Sequence, residues 1–187
     1  MGETGSGKTF KAAQWFRECP HAAIFLNVGL ETESKYWADT PITTDPGEAL
    51  KIIFNGGHVV LNIQPWGGRI ETFMERLVHI QVSCPSLKPI SVFLDECHKS
   101  APSRCFDIGQ AIQKGEAPNI WLLTATEGRH WNIQMWWISQ RSQLVDSTLV
   151  RECGSKVFFR LDPLDMEYWR RVGIVLTEKE NYEYEIL

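Results

Sequence analysis

The chain has 187 residues, 43% hydrophobic and 22% charged, the balance of a soluble globular protein long enough to bury one core of its own. Its net charge of −4 supplies no global basic field, so any nucleic acid must be met locally, by loops that oligomerisation gathers together. No apolar run reaches the roughly 18 residues of a membrane span, and the N-terminus leaves no room for a signal peptide. The five cysteines are scattered without a C-x-x-C pair, which disfavours a disulfide framework or a zinc site and fits a reducing cytoplasm.

In chain order, residues 8–19 read as a helix with Phe10, Ala13 and Phe16 on its apolar face, stopped by Pro20. Residues 21–28 form a nearly continuous apolar run, the pattern of a strand buried on both faces. Residues 32–44 are polar and loop-like, and Asp45-Pro46 starts a helix that Asn55-Gly56-Gly57 ends. A strand at 59–63, a loop at 65–68 and an amphipathic helix at 70–82 follow, the helix built on Phe73, Leu77 and Ile80. Residues 90–94 are a strand running into Asp95-Glu96; helices are predicted at 103–114 and 119–127 and a buried strand at 133–139. Residues 143–153 read as helix, 156–161 as strand, 163–172 as helix, and 182–186 alternate like an edge strand. Strands alternating with helices predict a single α/β domain over 1–187, with a mostly parallel sheet covered on both faces.

The chain opens MGETGSGKTF, in which Gly2, Gly7, Lys8 and Thr9 complete the phosphate-binding pattern G-x-x-x-x-G-K-[ST]. Backbone N–H groups of Gly2, Glu3, Thr4, Gly5, Ser6, Gly7, Lys8 and Thr9 would converge on nucleotide phosphates, with positive potential added by the helix N-terminus. Lys8 would reach the β and γ phosphates and the Thr9 hydroxyl would hold Mg²⁺. The acidic pair that ends strand 90–94 lies at the carboxyl edge of the sheet, where open α/β sheets bind ligands. Asp95 suits the organisation of Mg²⁺, and Glu96 suits the base that polarises an attacking water. These features together imply ATP and Mg²⁺ as substrate and metal, and an ATPase as the activity.

Two families share these motifs. GETGSGKT, Asp95-Glu96-Cys97-His98 and Thr124-Ala125-Thr126 resemble the motifs of DEAH-box helicases. Such helicases need a second RecA-like domain, and only 61 residues follow Thr126, too few for one. From the P-loop through Pro163, and most sharply over 128–163, the chain resembles the FtsK/HerA family, including genome-packaging ATPases of membrane-containing double-stranded DNA viruses. The resemblance implies a RecA-like P-loop fold with Gln140 as polar sensor at a strand tip. It also implies that Arg129, eleven residues earlier, is an arginine finger for a neighbouring subunit. Ser142 stands where the family has proline, so the turn after Gln140 is less constrained. On this resemblance Thr124-Ala125-Thr126 is merely a helix end and His98 has no helicase duty.

The resemblance further implies an ATP-driven translocase of double-stranded DNA, working as a homo-oligomeric ring (a hexamer or pentamer) in the host cytoplasm or on the virion, beside capsid or membrane vertex proteins. A helicase fragment is the alternative, as is a phage-assembly P-loop ATPase that does not act on duplex DNA. The DNA-facing loops are expected at 65–69 and at 97–104, which carries His98, Lys99 and Arg104, with Trp66 exposed at an interface or pore. Trp136 and Trp137 should point to opposite faces of one strand, each packing on a different helical layer. One feature departs from the pattern: a P-loop follows a buried strand, and here only Met1 precedes it. The absent strand is expected at the sheet's centre, beside the strand of the acidic pair. A late chain start accounts for it more simply than the segment near 182–186 filling the place.

Overall fold

Ala23–Asn27 (β1) and Ile90–Leu94 (β4) are buried at every position, and His58–Asn62 (β3) at all but its ends, as parallel strands covered on both faces must be. In this computed structural model, which describes residues 1, 5–27, 36–37, 39–63, 69–101, 119–180 and 182–187, they join Ile42–Thr43 (β2) and Ile133–Trp137 (β5) in a five-stranded parallel sheet. The strand order is β2-β3-β1-β4-β5. Parallel neighbours need long crossovers, which here include helices Pro46–Phe54 (α2), Arg69–Ser83 (α3) and Ile120–Glu127 (α4). Helix Lys8–Arg17 (α1) precedes β1, and Ser147–Glu152 (α5) and Pro163–Arg171 (α6) follow β5. Among the described residues, no helix is long and apolar enough to cross a membrane.

The two-residue period of the strands divides the core. Ala23, Phe25, Val60 and Phe93 face α1, packing with Ala12, Ala13, Phe16 and Trp37. Ile24, Leu26, Val59, Leu61, Val92 and Leu94 face the other helices, meeting Ile53, Phe73, Leu77, Trp121 and Leu149. Phe25, Phe93 and Trp136 stack across three adjacent strands at 6.0 and 5.0 Å, with planes within 10° and 6°. Such pairs contribute about 0.5–1.5 kcal/mol beyond their buried area. Trp136 and Trp137 do face opposite layers: Trp136 meets Trp15 of α1 at 5.8 Å, and Trp137 meets Trp121 of α4 at 6.0 Å.

Several boundaries differ from the sequence expectation. Within 32–44, the short strand β2 pairs with β3. The helix expected over 143–153 is broken: a 3-10 turn at Ser142–Leu144 comes first, and the Asp146 carboxylate accepts from Thr148 N to cap α5. The strand expected over 156–161 shrinks to Val157–Phe158 (β6), paired antiparallel with Glu185–Ile186 (β7). Phe10 is not on the buried face of α1; it is 48% exposed, and the buried stripe is Lys8, Ala12, Ala13 and Phe16. The helix expected over 103–114 lies outside the described residues.

The central gap expected beside the acidic strand is not found among the described residues. The acidic strand β4 is flanked by β1 and β5 without a gap, because its carbonyls and amides are taken up on both sides. A cleft of about 570 Å³ lies instead beyond β5, bounded by Ile133–Ser139 on one side and by Val157 and Phe159 on the other, with Met1 and Lys8 in its wall. Met1 already lies along β6: its amine donates to Val157 O, and its carbonyl accepts from Phe159 N at 2.7 Å. The tail strand β7 pairs with β6 and stays out of the five-stranded sheet.

Candidate nucleotide site

The start of α1 is shaped by glycine. Gly5 (φ 79°) and Gly7 (φ 94°) occupy the left-handed region, which other residues enter only at a cost. Gly7 is the N-cap of α1 and accepts the first intrahelical bond, from Lys11 N at 3.0 Å. Lys8 is 8% exposed, and Ser6 is fully buried with its hydroxyl lacking a partner. A buried cation beside an orphaned hydroxyl and a helix N-terminus is a donor set suited to phosphate oxygens. Gly2, Glu3 and Thr4 lie outside the described residues. Thr9 is half-buried in the first turn.

The parallel sheet brings Asp95 and Glu96 to the same edge. Asp95 N still continues the ladder, donating to Leu26 O at 3.1 Å, so the carboxylate is fixed by the strand rather than by a loose loop. Burial first, and then the neighbouring Glu96 charge, push the Asp95 carboxyl up to about 6, against the pull of Lys8 and Lys99. Lys8 lines the same cleft as Cys97 and Ser139, which adjoin Glu96 and Gln140 in the chain. Asp95 Oδ1 accepts from Glu96 N at 2.9 Å, and Glu96 adopts φ 50° and ψ 40°, a left-handed conformation uncommon outside glycine. Such backbone strain survives where surrounding contacts over-determine it.

Those contacts are visible on the Glu96 side chain. Pairing of β4 and β5 runs past their ends, with Ile138 N donating to Leu94 O at 3.0 Å and Cys97 N to Ile138 O at 2.8 Å. This carries Gln140 to the acidic pair, and its Nε2 donates to Glu96 Oε1. The other carboxylate oxygen, Oε2, lies 3.4 Å from His98 Nε2. His98 Nδ1 is 3.3 Å from Ser139 Oγ. Burial holds the His98 imidazole below its usual value, opposed by Glu96 and reinforced by Lys99 and Arg141. The Ser139 hydroxyl also accepts from Arg141 N at 3.2 Å and donates to Arg141 O at 3.0 Å, bracing the turn that leads to Ser142.

Four of the sequence-predicted positions are thus gathered: Lys8, Asp95, Glu96 and Gln140. His98, expected from the sequence on a DNA-facing loop, instead meets Glu96; only its position two residues after the acid hinted at this. Among the described residues, Arg129 makes no contact with Glu96 or Gln140, although it lines the same cleft as Lys8. It is exposed in the 3-10 turn Gly128–Trp131 that precedes β5, whereas Gln140 follows the strand's other end. Five strand residues at about 3.3 Å each put roughly 15 Å between the two ends. Thr124 and Thr126 sit at the end of α4, where their hydroxyls donate to Ile120 O and Leu122 O. Of the loops expected to face DNA, 65–68 and 102–104 lie outside the described residues; Lys99 is exposed, while His98 turns in toward Glu96.

Neither a protein-family model nor a curated protein matches the chain. Solved structures do. The genome packaging NTPase B204 from Sulfolobus turreted icosahedral virus 2, in complex with sulfate, superposes with a TM-score of 0.71 at 13% identity, covering 99% of this chain and 86% of that one. The same protein in complex with AMP gives 0.68 at 13%, covering 99% and 88%. The DNA-packaging ATPase B204 from Sulfolobus turreted icosahedral virus gives 0.63 at 14%, covering 91% and 78%. Likeness at such identity speaks to architecture, and it agrees with the parallel sheet, the glycine loop and the acidic strand end: this chain has the RecA-like fold of P-loop NTPases.

Proposed function

We propose that this chain is an ATPase that drives double-stranded DNA, most specifically a viral genome-packaging motor subunit. The observation that carries the enzymatic part is the convergence of Lys8, Asp95, Glu96 and Gln140 at one sheet edge. In this reading the Gly5–Gly7 turn and the N-terminus of α1 bind the phosphates, Lys8 neutralises the β and γ groups, and Gly2, Glu3 and Thr4 complete the loop. Thr9 and Asp95 would hold Mg²⁺, which supplies charge neutralisation of the phosphates. Glu96 takes a proton from the attacking water, and Gln140 both orients Glu96 and senses the γ-phosphate. Arg129, at the opposite end of β5 from Gln140, serves the next subunit of a homo-oligomeric ring.

The likeness to packaging NTPases supports the choice of duplex DNA as the driven substrate and a place in the host cytoplasm or on the virion, next to capsid or vertex proteins. ATP hydrolysis measured with and without linear duplex DNA tests the reading. Stimulation by DNA is expected, with Lys8→Ala and Glu96→Gln each lowering turnover by about 10²-fold or more. Near-normal hydrolysis in either variant would sink the site assignment, and indifference to duplex DNA would sink the translocase.

A further inference from the structure

The C-terminal tail touches the phosphate loop. Tyr182 N donates to Ser6 O at 3.0 Å, so the tail engages a carbonyl on the outside of a loop whose N–H groups converge inward. Tyr182 has φ 70°, a second non-glycine residue held in the left-handed region at the site. That twist sets its ring on Gly7: a Cβ built there would lie 2.7 Å from Tyr182 Cδ1. The ring nevertheless stays 66% exposed, and beside it stands Phe10, 48% exposed. Their centroids are 6.3 Å apart with planes at 88°. Among the described residues the exposed aromatic rings are Phe10, Tyr182 and Tyr184, and all three lie on or against α1, Tyr184 meeting Trp15 at 5.9 Å and Lys11 Nζ at 5.3 Å. Exposed rings gathered at one ligand loop call for a ligand of matching chemistry.

We infer that Phe10 and Tyr182 form the platform for the nucleobase, a subsite that deepens the proposed nucleotide reading and rests on it. The direction of the phosphate chain sets the geometry. Its γ end faces Glu96 and Gln140, the loop and first turn of α1 hold the β and α groups, and the base must leave beyond the α-phosphate. Phe10 directly follows Thr9 and sits about 200° around the helix from Lys8, so it faces away from the cleft that Lys8 lines. Two perpendicular rings form a corner: Tyr182 stacks beneath the flat base and Phe10 meets its edge. Stacking reads area rather than hydrogen-bond pattern, so purine nucleotides are preferred to pyrimidine ones without strong selection among purines.

The test separates base from phosphate. Calorimetric affinities for ATP and for inorganic tripolyphosphate, both with Mg²⁺, are measured on the wild type and on Tyr182→Ala, Tyr182→Phe and Phe10→Ala. Loss of one stacked ring is expected to weaken ATP by roughly 5- to 150-fold in Tyr182→Ala, with a smaller loss in Phe10→Ala. Tripolyphosphate affinity stays within about twofold, because the backbone bond from residue 182 to Ser6 is kept, and Tyr182→Phe resembles the wild type. Parallel loss of both ligands would show that Tyr182 merely shapes the loop, and unchanged ATP binding would remove the platform; either overturns the inference. A wild-type chain that binds neither ligand would instead overturn the nucleotide reading itself.

Discussion

At the scale of single residues, Asp95 and Glu96 illustrate how a strand end is made reactive at the expense of stability. Asp95 is buried with its carboxyl raised to about 6, so at pH 7.5 the folded chain holds an ionised group away from water. A folded-state value above the unfolded one means stability is lost as pH rises through that window. Asp95→Asn removes the charge while its side-chain carbonyl still accepts from Glu96 N. The ligand-free variant is expected to melt roughly 2–8 °C above the wild type at pH 7.5, the difference shrinking as pH falls below about 6 and vanishing near the unfolded value of 3.8, with hydrolysis lost. A lower melting temperature in differential scanning calorimetry would contradict this. Sequence made Lys8, Asp95 and Glu96 legible because their motifs are local. It could not reveal the bond from Gln140 to Glu96 or the ring of Tyr182 on Gly7, since each joins segments tens of residues apart that only the fold brings together, nor the inward turn of His98, which the left-handed backbone of Glu96 and the distant Ser139 hydroxyl accompany.

At the scale of elements, α2 and the stacked aromatic row offer two quantitative checks. The Asp45 side chain accepts from Gly47 N, with Pro46 in the first turn, so Asp45→Ala should cost about 1 kcal/mol in urea unfolding. Phe93 is fully buried between Phe25 and Trp136, and Phe93→Ala should cost about 3–5 kcal/mol; a loss below 1 kcal/mol would mean the row contributes little. The same elements explain what sequence conveyed. β1, β3 and β4 stood out because strands buried on both faces leave continuous apolar runs. β2 and β6 span two residues each, too few to show a period. The break before α5 was signalled only by Asp146-Ser147-Thr148, a cap sequence inside an otherwise helical pattern. In α1, Lys8 occupies a place in the buried stripe that periodicity assigns to an apolar side chain, and Phe10 is displaced to the surface as a result.

At the scale of the whole molecule, the sheet separates Gln140 and Arg129 by the length of one strand. Gln140 lies beyond the carboxyl end of β5 and Arg129 before its amino end. With Arg129 acting in trans as proposed, a mixture of Arg129→Ala and Glu96→Gln subunits should recover hydrolysis that neither variant shows alone. Absence of recovery, together with an active Arg129→Ala protein, would remove the finger. Titrating the ratio of the two in a steady-state assay reads out the recovery directly.

The placement of these two residues on one strand has a mechanical meaning. β5 is a stiff strut hydrogen-bonded along its length to β4, from Ile90 opposite Ile133 to Leu94 opposite Trp137. In a closed ring each strut would span from its own catalytic glutamate to the neighbour's phosphates. A displacement of Gln140 on departure of the γ-phosphate would then be carried to the other end as a shift of Arg129, with little loss in bending. In such a ring, firing at one interface would reset the next, and because the strut has a head and a tail, the sequence of firing would acquire a sense of rotation.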